Sequence, residues 1–200
     1  TSLLLVDTHL EGFQKGTNLD KIGLHSQDTS ELFFSDVKVP ADQLLGNAGN
    51  GFGYLMQELP RERIGIAVTA IGAILGCIDV TAKYVNERQA FGQTIGKFQN
   101  SRFVLAQAKI EAMATQAFVN ECIEKYMAGQ MDAVTAAAVK SYASDMQCKV
   151  ADDLLQLFGG YGYMTEYPIS RFYVDARIQR IYGGTNEIMK EVVARDLLGR

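Results

Sequence analysis

The sequence of 200 residues has no tryptophan, only three prolines, and no excess of positive charge. So few prolines, beside many Ala, Met, Leu and Ile residues, favour helix. The 19 basic residues are outnumbered by 23 acidic ones, and the net charge is −4. Because no basic stripe offsets this charge, a nucleic-acid partner is not expected. Hydrophobic residues make up 48% of the chain and charged residues 21%, which is ordinary for a folded soluble protein.

Histidine and cysteine are also scarce. The chain has three cysteines: Cys77, Cys122 and Cys148. Their odd number and apolar surroundings predict buried free thiols, which suit a reducing compartment. The two histidines, His9 and His25, lie far from all three in sequence, so we expect no metal site. The longest apolar-rich stretch, residues 64–80, is bounded by Arg63 and contains Asp79, so no membrane span is predicted.

Residues 1–45 are predicted to be β-rich. Strand patterns cover residues 3–7 and residues 31–39, and the second ends at Pro40 as a strand should. The glycine-containing stretch between them predicts loops and turns. Two strands do not make a stable sheet alone. We therefore expect their partners to lie upstream or on another chain.

From Gly51 onward, apolar residues recur at helical spacing. They predict three long helices and a shorter fourth, over residues 51–86, 99–127, 132–158 and 185–198. Pro60 falls inside the first and predicts a kink or two joined helices. Gly129 is a plausible helix stop, and Asp132 and Thr185 are plausible N-caps. The chain is thus predicted to hold an incomplete β domain over residues 1–45 and an antiparallel helical bundle over residues 46–200.

A first candidate motif is Arg88 followed by a turn that contains Gly92, with Gln99 shortly after. An arginine at a helix end, beside a glycine-containing turn, can bind a phosphate through two hydrogen bonds. The alternative is an ordinary helix C-terminus, at which Arg88 offsets the helix dipole and Gly92 closes the turn. Taken by itself, this motif favours the structural alternative.

Two further motifs are rich in glycine. Residues 156–163 include three glycines within four positions, which would let backbone amides approach a phosphate. Their alternative is a helix stop followed by a packing turn. Gly183 and Gly184 lead into a helix capped by Thr185, which is an anion-friendly arrangement and equally an ordinary helix start. A fourth segment, residues 58–63, places charges beside a proline, which is usually a solvated face.

These segments, in this order and spacing, resemble the signatures of the acyl-CoA dehydrogenase C-terminal domain. The resemblance covers essentially the whole chain, with residues 1–45 similar to the end of the family's middle β domain. It implies a partial enzyme that lacks the N-terminal helical domain and most of the β domain. The opening of the chain directly on a strand-like run fits a fragment. The implied fold is mainly α, an antiparallel helical bundle after a short β remnant.

The resemblance also implies the chemistry. Family members remove a proton from the acyl α carbon with a carboxylate while hydride leaves the β carbon for the flavin of FAD. Most members carry this carboxylate directly after the tyrosine before the last helix, where this chain has Gly183. A smaller branch, similar to the isovaleryl-CoA and long-chain enzymes, carries it on the first bundle helix, where this chain has Glu62 before Arg63. Glu62 is therefore the expected base, and Glu58, one turn earlier, is its competitor. Long-chain or branched acyl-CoA is the expected substrate.

Further site residues follow from the same resemblance. The expected FAD contacts are Arg88, Gln99, Gln156, Leu157, Phe158, Gly159, Gly160, Thr185, Asn186 and Glu187. The expected acyl-CoA pocket includes Pro60, Arg61, Arg63, Gly183 and Gly184. Glu62 and Arg88 would lie about 39 Å apart on one helix at 1.5 Å per residue. One FAD cannot span that distance, so the two residues would serve different cofactors, as in a homotetramer built as a dimer of dimers.

The resemblance extends to partners and location. It implies electron transfer to an electron-transfer flavoprotein, with location in the cytoplasm of a bacterium or in the mitochondrial matrix of a eukaryote. Two alternatives stay open at this point. The chain is compatible with a catalytically silent oligomerisation module, which would hold no flavin, and with an acyl-CoA oxidase, which would admit oxygen to the flavin.

Overall fold

A computed structural model describes residues 1–199, and internal contacts divide the chain into two units. The first is Thr1–Leu59, and the second begins at Pro60. The division falls inside the first helix, whereas the predicted boundary after residue 45 coincides with the end of the last strand of the first unit. The mainly helical fold that was predicted, a bundle after a short β segment, is confirmed.

The first unit contains two short antiparallel strand pairs. Strand β1 (Leu3–Leu4) pairs with β4 (Leu44–Leu45), and β2 (Phe13–Asn18) pairs with β3 (Ser30–Phe34). The expectation that the strands pair only outside this stretch is therefore wrong, because each has a partner inside the chain. The strand predicted over residues 31–39 corresponds to β3, which already ends at Phe34. Asp36 takes a left-handed backbone conformation with φ of 51°, which ends the extended segment.

Strand β2 is the element of this unit that the sequence pattern missed. Its residues, FQKGTN, are mostly polar and include Gly16, which reads as a turn. Pairing with β3 sets Phe13 opposite Phe34, and their rings meet edge to face with centroids 5.3 Å apart. This aromatic pair across the strands compensates for the weak local preference.

Helix α1 (Gly51–Glu87) runs unbroken through Pro60, so the alternative of two joined helices is wrong. The hairpin of β5 (Gln89–Ala90) and β6 (Gln93–Thr94) connects it to the next helix. The remaining helices are α2 (Gln99–Met127), α3 (Ala133–Gln156), α4 (Pro168–Ala176) and α5 (Asn186–Leu197). Helix α4 was not predicted, because it has only nine residues. It begins with a proline, which is tolerated at the first helical position.

Local signals predicted the start of α3, the start of α5 and the end of α2 correctly, whereas α3 ends at Gln156, two residues before its predicted end. The backbone N–H of Thr135 donates to Asp132 Oδ1 at 2.7 Å at the start of α3. The N–H of Ile188 donates to Thr185 Oγ1 at 3.4 Å at the start of α5. Gly129, just after α2, takes the left-handed conformation with φ of 68°.

Helix α3 occupies the middle of the second unit, where it contacts α2, α4 and α5. Its buried face is lined by small residues, including Ala137 and Ala143, and this allows the neighbouring helices to pack closely. Cys77 and Cys122 are buried free thiols as predicted, and Cys148 is a half-buried one. By length and composition α1 is also long and apolar enough to cross a membrane, a test that buried core helices pass as well.

Candidate active site

The two ends of α1 carry different groups of predicted site residues. Glu62 lies near the start of the second unit, and Arg88 follows the last residue of the helix. Glu62 and Arg88 are 26 positions apart in sequence, which corresponds to about 39 Å along a helix at 1.5 Å per residue. Pro60 precedes Glu62, so a bend at the proline does not shorten this distance. The structure thus separates the predicted site into two places on the second unit.

At the Glu62 end, the two neighbouring side chains differ sharply in burial. Glu62 is exposed, so the described residues do not supply the apolar surroundings expected for the base. Arg63 is only 7% exposed, and its Nε has no hydrogen-bond partner within residues 1–199. Burial lowers the pKa of the Arg63 guanidinium, and the adjacent Glu62 carboxylate acts in the opposite direction. Of the other predicted pocket residues on this helix, Pro60 is half-buried and Arg61 is exposed.

The glycine turn before α5 packs against the same part of α1. Gly183 and Gly184 both adopt left-handed conformations, with φ of 64° and 94°. A Cβ added at Gly183 would lie 2.4 Å from Ile66 Cδ1. Since Ile66 is one helical turn beyond Glu62, the turn lies close to the α1 segment that carries the predicted base. The two positions that the sequence resemblance offers for the base, 62 and 183, therefore lie in neighbouring segments of the structure.

The predicted cofactor contacts at the start of α5 are in three different environments. Thr185 caps the helix, and Glu187 is exposed in the first turn. Hydrogen bonds from its own backbone N–H and from the Thr185 side chain lower the pKa of Glu187. Asn186, in contrast, is 1% exposed, and its side-chain amide is engaged with residues of α3. Its predicted role as an FAD contact stays a prediction, and its side chain has other partners here.

The residue that anchors this end of α5 was missed by sequence reasoning. Lys140 of α3 is completely buried, and its Nζ donates to Gly184 O at 2.7 Å and to Asn186 Oδ1 at 2.9 Å. Asn186 Nδ2 in turn donates to Ser144 Oγ at 2.9 Å and to Asp145 Oδ1 at 3.1 Å. The sequence signal for Lys140 was its position among the alanines of one helix face. Helix periodicity alone does not distinguish such a buried lysine from one exposed to solvent.

At the other end of α1, the Arg88 and 156–163 motifs come together. The guanidinium carbon of Arg88 lies 5.0 Å from the centre of the Tyr161 ring, a cation–π distance. A groove of about 630 Å³ opens there. Its lining consists of Tyr84, Arg88, Phe158, Gly159, Gly160, Tyr161, Met164 and Glu166.

The groove combines a rigid aromatic wall with accessible backbone. The Phe158 ring, only 5% exposed, stacks on Tyr84 with centroids 4.0 Å apart. A Cβ added at Gly159 or Gly160 would meet no atom within 4 Å, so a ligand can approach this backbone closely. All four motifs singled out in the sequence thus include residues placed in one of the two sites.

The remaining predicted contacts lie near this groove in sequence but do not line it. Gln156, the last residue of α3, is exposed, and the neighbouring Leu157 packs against the hydrophobic core. Gln99 is exposed at the first position of α2. Within residues 1–199, no three His, Cys, Asp or Glu side chains are grouped so as to hold a metal ion.

Comparisons with known proteins agree with the resemblance seen in the sequence. The chain is 50% identical over 197 residues to the mitochondrial long-chain specific acyl-CoA dehydrogenase of Sus scrofa, covering 98% of this chain and 46% of that protein. A crystal structure of acyl-CoA dehydrogenase from Geobacillus kaustophilus matches with a TM-score of 0.95 and 45% identity, over 98% of this chain and 52% of that one. A chain in a structure of the electron transferring flavoprotein of Acidaminococcus fermentans matches with a TM-score of 0.95 and 38% identity, over 100% and 52%.

The chain spans about half the length of these relatives. Residues 49–198 match the family model of the acyl-CoA dehydrogenase C-terminal domain. This match covers the bundle with both of its sites, from just before α1 to the end of α5. The chain therefore belongs to the acyl-CoA dehydrogenase family.

Proposed function

We propose that the chain is the C-terminal part of an FAD-dependent acyl-CoA dehydrogenase in which Glu62 is the base. The observation that carries this proposal is the approach of the Gly183 turn to Ile66, one turn from Glu62 on α1. Gly183 has no side chain to remove a proton, and Glu62 is the carboxylate of the adjacent helix segment. Glu58 is the alternative carboxylate on the same helix.

In this proposal each side chain has a defined task. The Glu62 carboxylate removes the proton from the acyl α carbon as a general base. FAD, when bound, supplies the acceptor for the hydride that leaves the β carbon. Because Glu62 is exposed in the described chain, the acyl chain of the substrate would exclude water from it on binding. Gly183 and Gly184 leave room at the turn, and the adjacent Arg63 and Arg61 border the same segment of α1.

The groove at Arg88 fits the phosphate part of FAD. Arg88 supplies an exposed cation at its edge, and the open space at Gly159 and Gly160 allows a phosphate to reach backbone amides. Phe158 lines the groove as a further proposed contact. The remaining proposed contacts are Gln99, Gln156 and Leu157, which are near the groove in sequence, and Thr185, Asn186 and Glu187 at the start of α5. The last three belong to the Glu62 end, so within one chain they would contact a different FAD molecule from the one at Arg88.

The separation of about 39 Å between Glu62 and Arg88 supports a homo-oligomer, because one extended FAD does not reach both. Each FAD would then be shared between subunits of a dimer of dimers. Helix α2 offers a surface for such contacts, since it exposes large apolar side chains on one face. Phe103, Ile110, Met113 and Met127 are 62%, 58%, 62% and 79% exposed. Exposed apolar patches of this kind are typical of protein interfaces.

The identity of 50% to a long-chain specific enzyme supports a long-chain acyl-CoA substrate, and a branched one stays an alternative. The match to a chain in an electron transferring flavoprotein structure supports an electron-transfer flavoprotein as the electron acceptor. By analogy with the mitochondrial relative, a eukaryotic protein would lie in the mitochondrial matrix, and a bacterial one in the cytoplasm.

The test is Glu62→Gln in the full-length, FAD-loaded protein. We expect the variant to keep its flavin but to lose dehydrogenation of long-chain acyl-CoA by at least about a hundredfold, as is usual when a general base is removed. Turnover is followed with an artificial electron acceptor, and the matched control is Glu58→Gln. Near-normal turnover by Glu62→Gln, with loss in the control instead, would move the base to Glu58.

A further inference from the structure

A lysine that has no assigned role lies beneath the glycine turn of the candidate active site. Lys140 belongs to the buried face of α3, between Ala137 and Ala143, and its side chain is 0% exposed. A buried ammonium is costly unless it is paired or hydrogen-bonded. Its placement among alanines, where an apolar residue would be the ordinary choice, therefore needs a specific reason.

The partners of Lys140 supply that reason. Its Nζ donates to the carbonyl of Gly184, 44 residues away in sequence, at 2.7 Å, and to Oδ1 of Asn186 at 2.9 Å. Gly183 and Gly184 have no side chains of their own with which to anchor the turn. On their side-chain sides the two glycines face apolar residues, because added Cβ atoms would meet Ile66 of α1 and Met189 of α5. Lys140 is the charged side chain that fixes its backbone.

Charged groups from α1, α3, α5 and the segment just before the turn act on the ammonium. Asp145 of α3 and Glu187 of α5 favour its charge, whereas Arg63 of α1 and Arg180, just before the turn, oppose it. Burial is the largest influence and lowers the pKa of Lys140 to about 8. A neutral amine still has two N–H donors, one for each of the two oxygens. The contact with Gly184 therefore survives loss of the proton.

We propose that Lys140 is a positioning residue, which holds the Gly183–Gly184 turn at the distance from α1 that the substrate requires. This inference rests on the proposed function, because it takes the turn to be part of the acyl-CoA site. Because Lys140 is fully buried, its proposed action is indirect, through the backbone of the turn. A shift of this backbone by about 1 Å is enough to cost roughly a hundredfold in rate at a reacting centre.

The test compares three variants of the full-length, FAD-loaded protein. Lys140→Met keeps the length and apolar stem of the side chain but removes both hydrogen bonds. Ser144→Ala disturbs the same buried network at Asn186 and leaves the Lys140–Gly184 contact in place. Lys149→Met, on the exposed side of α3, removes only an ion pair with Asp153. Steady-state kinetics with long-chain acyl-CoA, FAD content and hydrogen exchange of residues 182–186 are measured for each.

We expect Lys140→Met to lower kcat/KM at least tenfold with unchanged FAD content, and to raise exchange in residues 182–186. Ser144→Ala should lower the Tm yet stay within twofold of the wild-type kcat/KM. Lys149→Met should match wild type in both Tm and kcat/KM. Equal kinetic losses in Lys140→Met and Ser144→Ala would overturn the positioning role, since a general loss of packing would explain both.

Folding failure is also decisive. If Lys140→Met does not fold, Lys140→Gln, which is too short to reach Gly184, is judged by the same comparison. Failure of both to fold would mean that Lys140 holds the bundle as a whole, and the inference would be wrong. If the wild-type protein does not oxidise acyl-CoA, the proposed function fails, but hydrogen exchange at the turn still tests the contact itself.

Discussion

Moving the proposed base carboxylate from position 62 to position 183 is the perturbation for which the structure gives the sharpest expectation. The Glu62→Gly/Gly183→Glu variant would place the carboxylate where most of the family carries it. We expect partial activity, because the turn lies beside the same segment of α1 as Glu62. The loss relative to wild type should be about a hundredfold if the new carboxylate is misplaced by about 1 Å.

The structure also predicts that this variant is strained. A non-glycine residue at the left-handed φ of 64° of Gly183 costs about 1–2 kcal/mol. The new Cβ would in addition lie 2.4 Å from Ile66 Cδ1, and such overpacking costs about 1–3 kcal/mol. The total penalty is therefore about 2–5 kcal/mol, which is large beside an ordinary stability of about 5–15 kcal/mol.

One added substitution separates the two costs. Ile66→Val removes Cδ1, and the nearest remaining atom of that side chain, Cγ1, lies 3.9 Å from the new Cβ. Ile66→Val alone should cost about 0.5–1.5 kcal/mol or less. In a double-mutant cycle with Gly183→Ala, the pair should recover about 1–3 kcal/mol, while the strain from φ remains.

The assay is denaturant unfolding for the cycle and acyl-CoA turnover for the relocated base. We expect Ile66→Val to raise both the stability and the activity of Glu62→Gly/Gly183→Glu. If the stability costs of Ile66→Val and Gly183→Ala add to within about 0.5 kcal/mol, the predicted contact between Ile66 and the turn is refuted. A folded, flavin-bound triple variant without turnover would refute the idea that both positions serve one α carbon.

Two further predictions concern charge. Arg88→Ala should weaken FAD retention and the oligomer together, because Arg88 is too far from Glu62 to share its cofactor. Light scattering during FAD titration measures the assembly of the variant. Assembly that responds to FAD as in wild type would contradict the prediction. Lys140 should make stability rise with pH between about 8 and 10.5, because the pKa of its amine is about 8 in the folded state and near the ordinary lysine value of 10.5 in the unfolded state. The unfolding free energy of wild type should therefore rise relative to that of Lys140→Met by on the order of 1–3 kcal/mol over this range. A difference that does not change with pH would contradict the lowered pKa of the buried Lys140 amine.

Sequence reasoning predicted those features of the fold that depend on neighbouring residues. Helices α2 and α3 begin or end at the predicted caps and stops, because Asp132 and Gly129 act within a few residues of their own position. Helix periodicity predicted the bundle for the same reason. Strand β2 and helix α4 were missed, because pairing with β3 and packing against α3 outweigh a weak local pattern.

The functional residues divide in the same way. The motifs at Arg88, at residues 156–163 and at Gly183 are visible in the sequence, since glycines and charged residues near helix ends are local features. Their grouping was decided by tertiary structure, which brings Arg88 to Tyr161 and Gly183 to Ile66. Lys140 is the clearest case. Its burial and its bond to Gly184 depend on α3 and α5 packing side by side, and a contact across 44 residues leaves no periodic trace in the sequence.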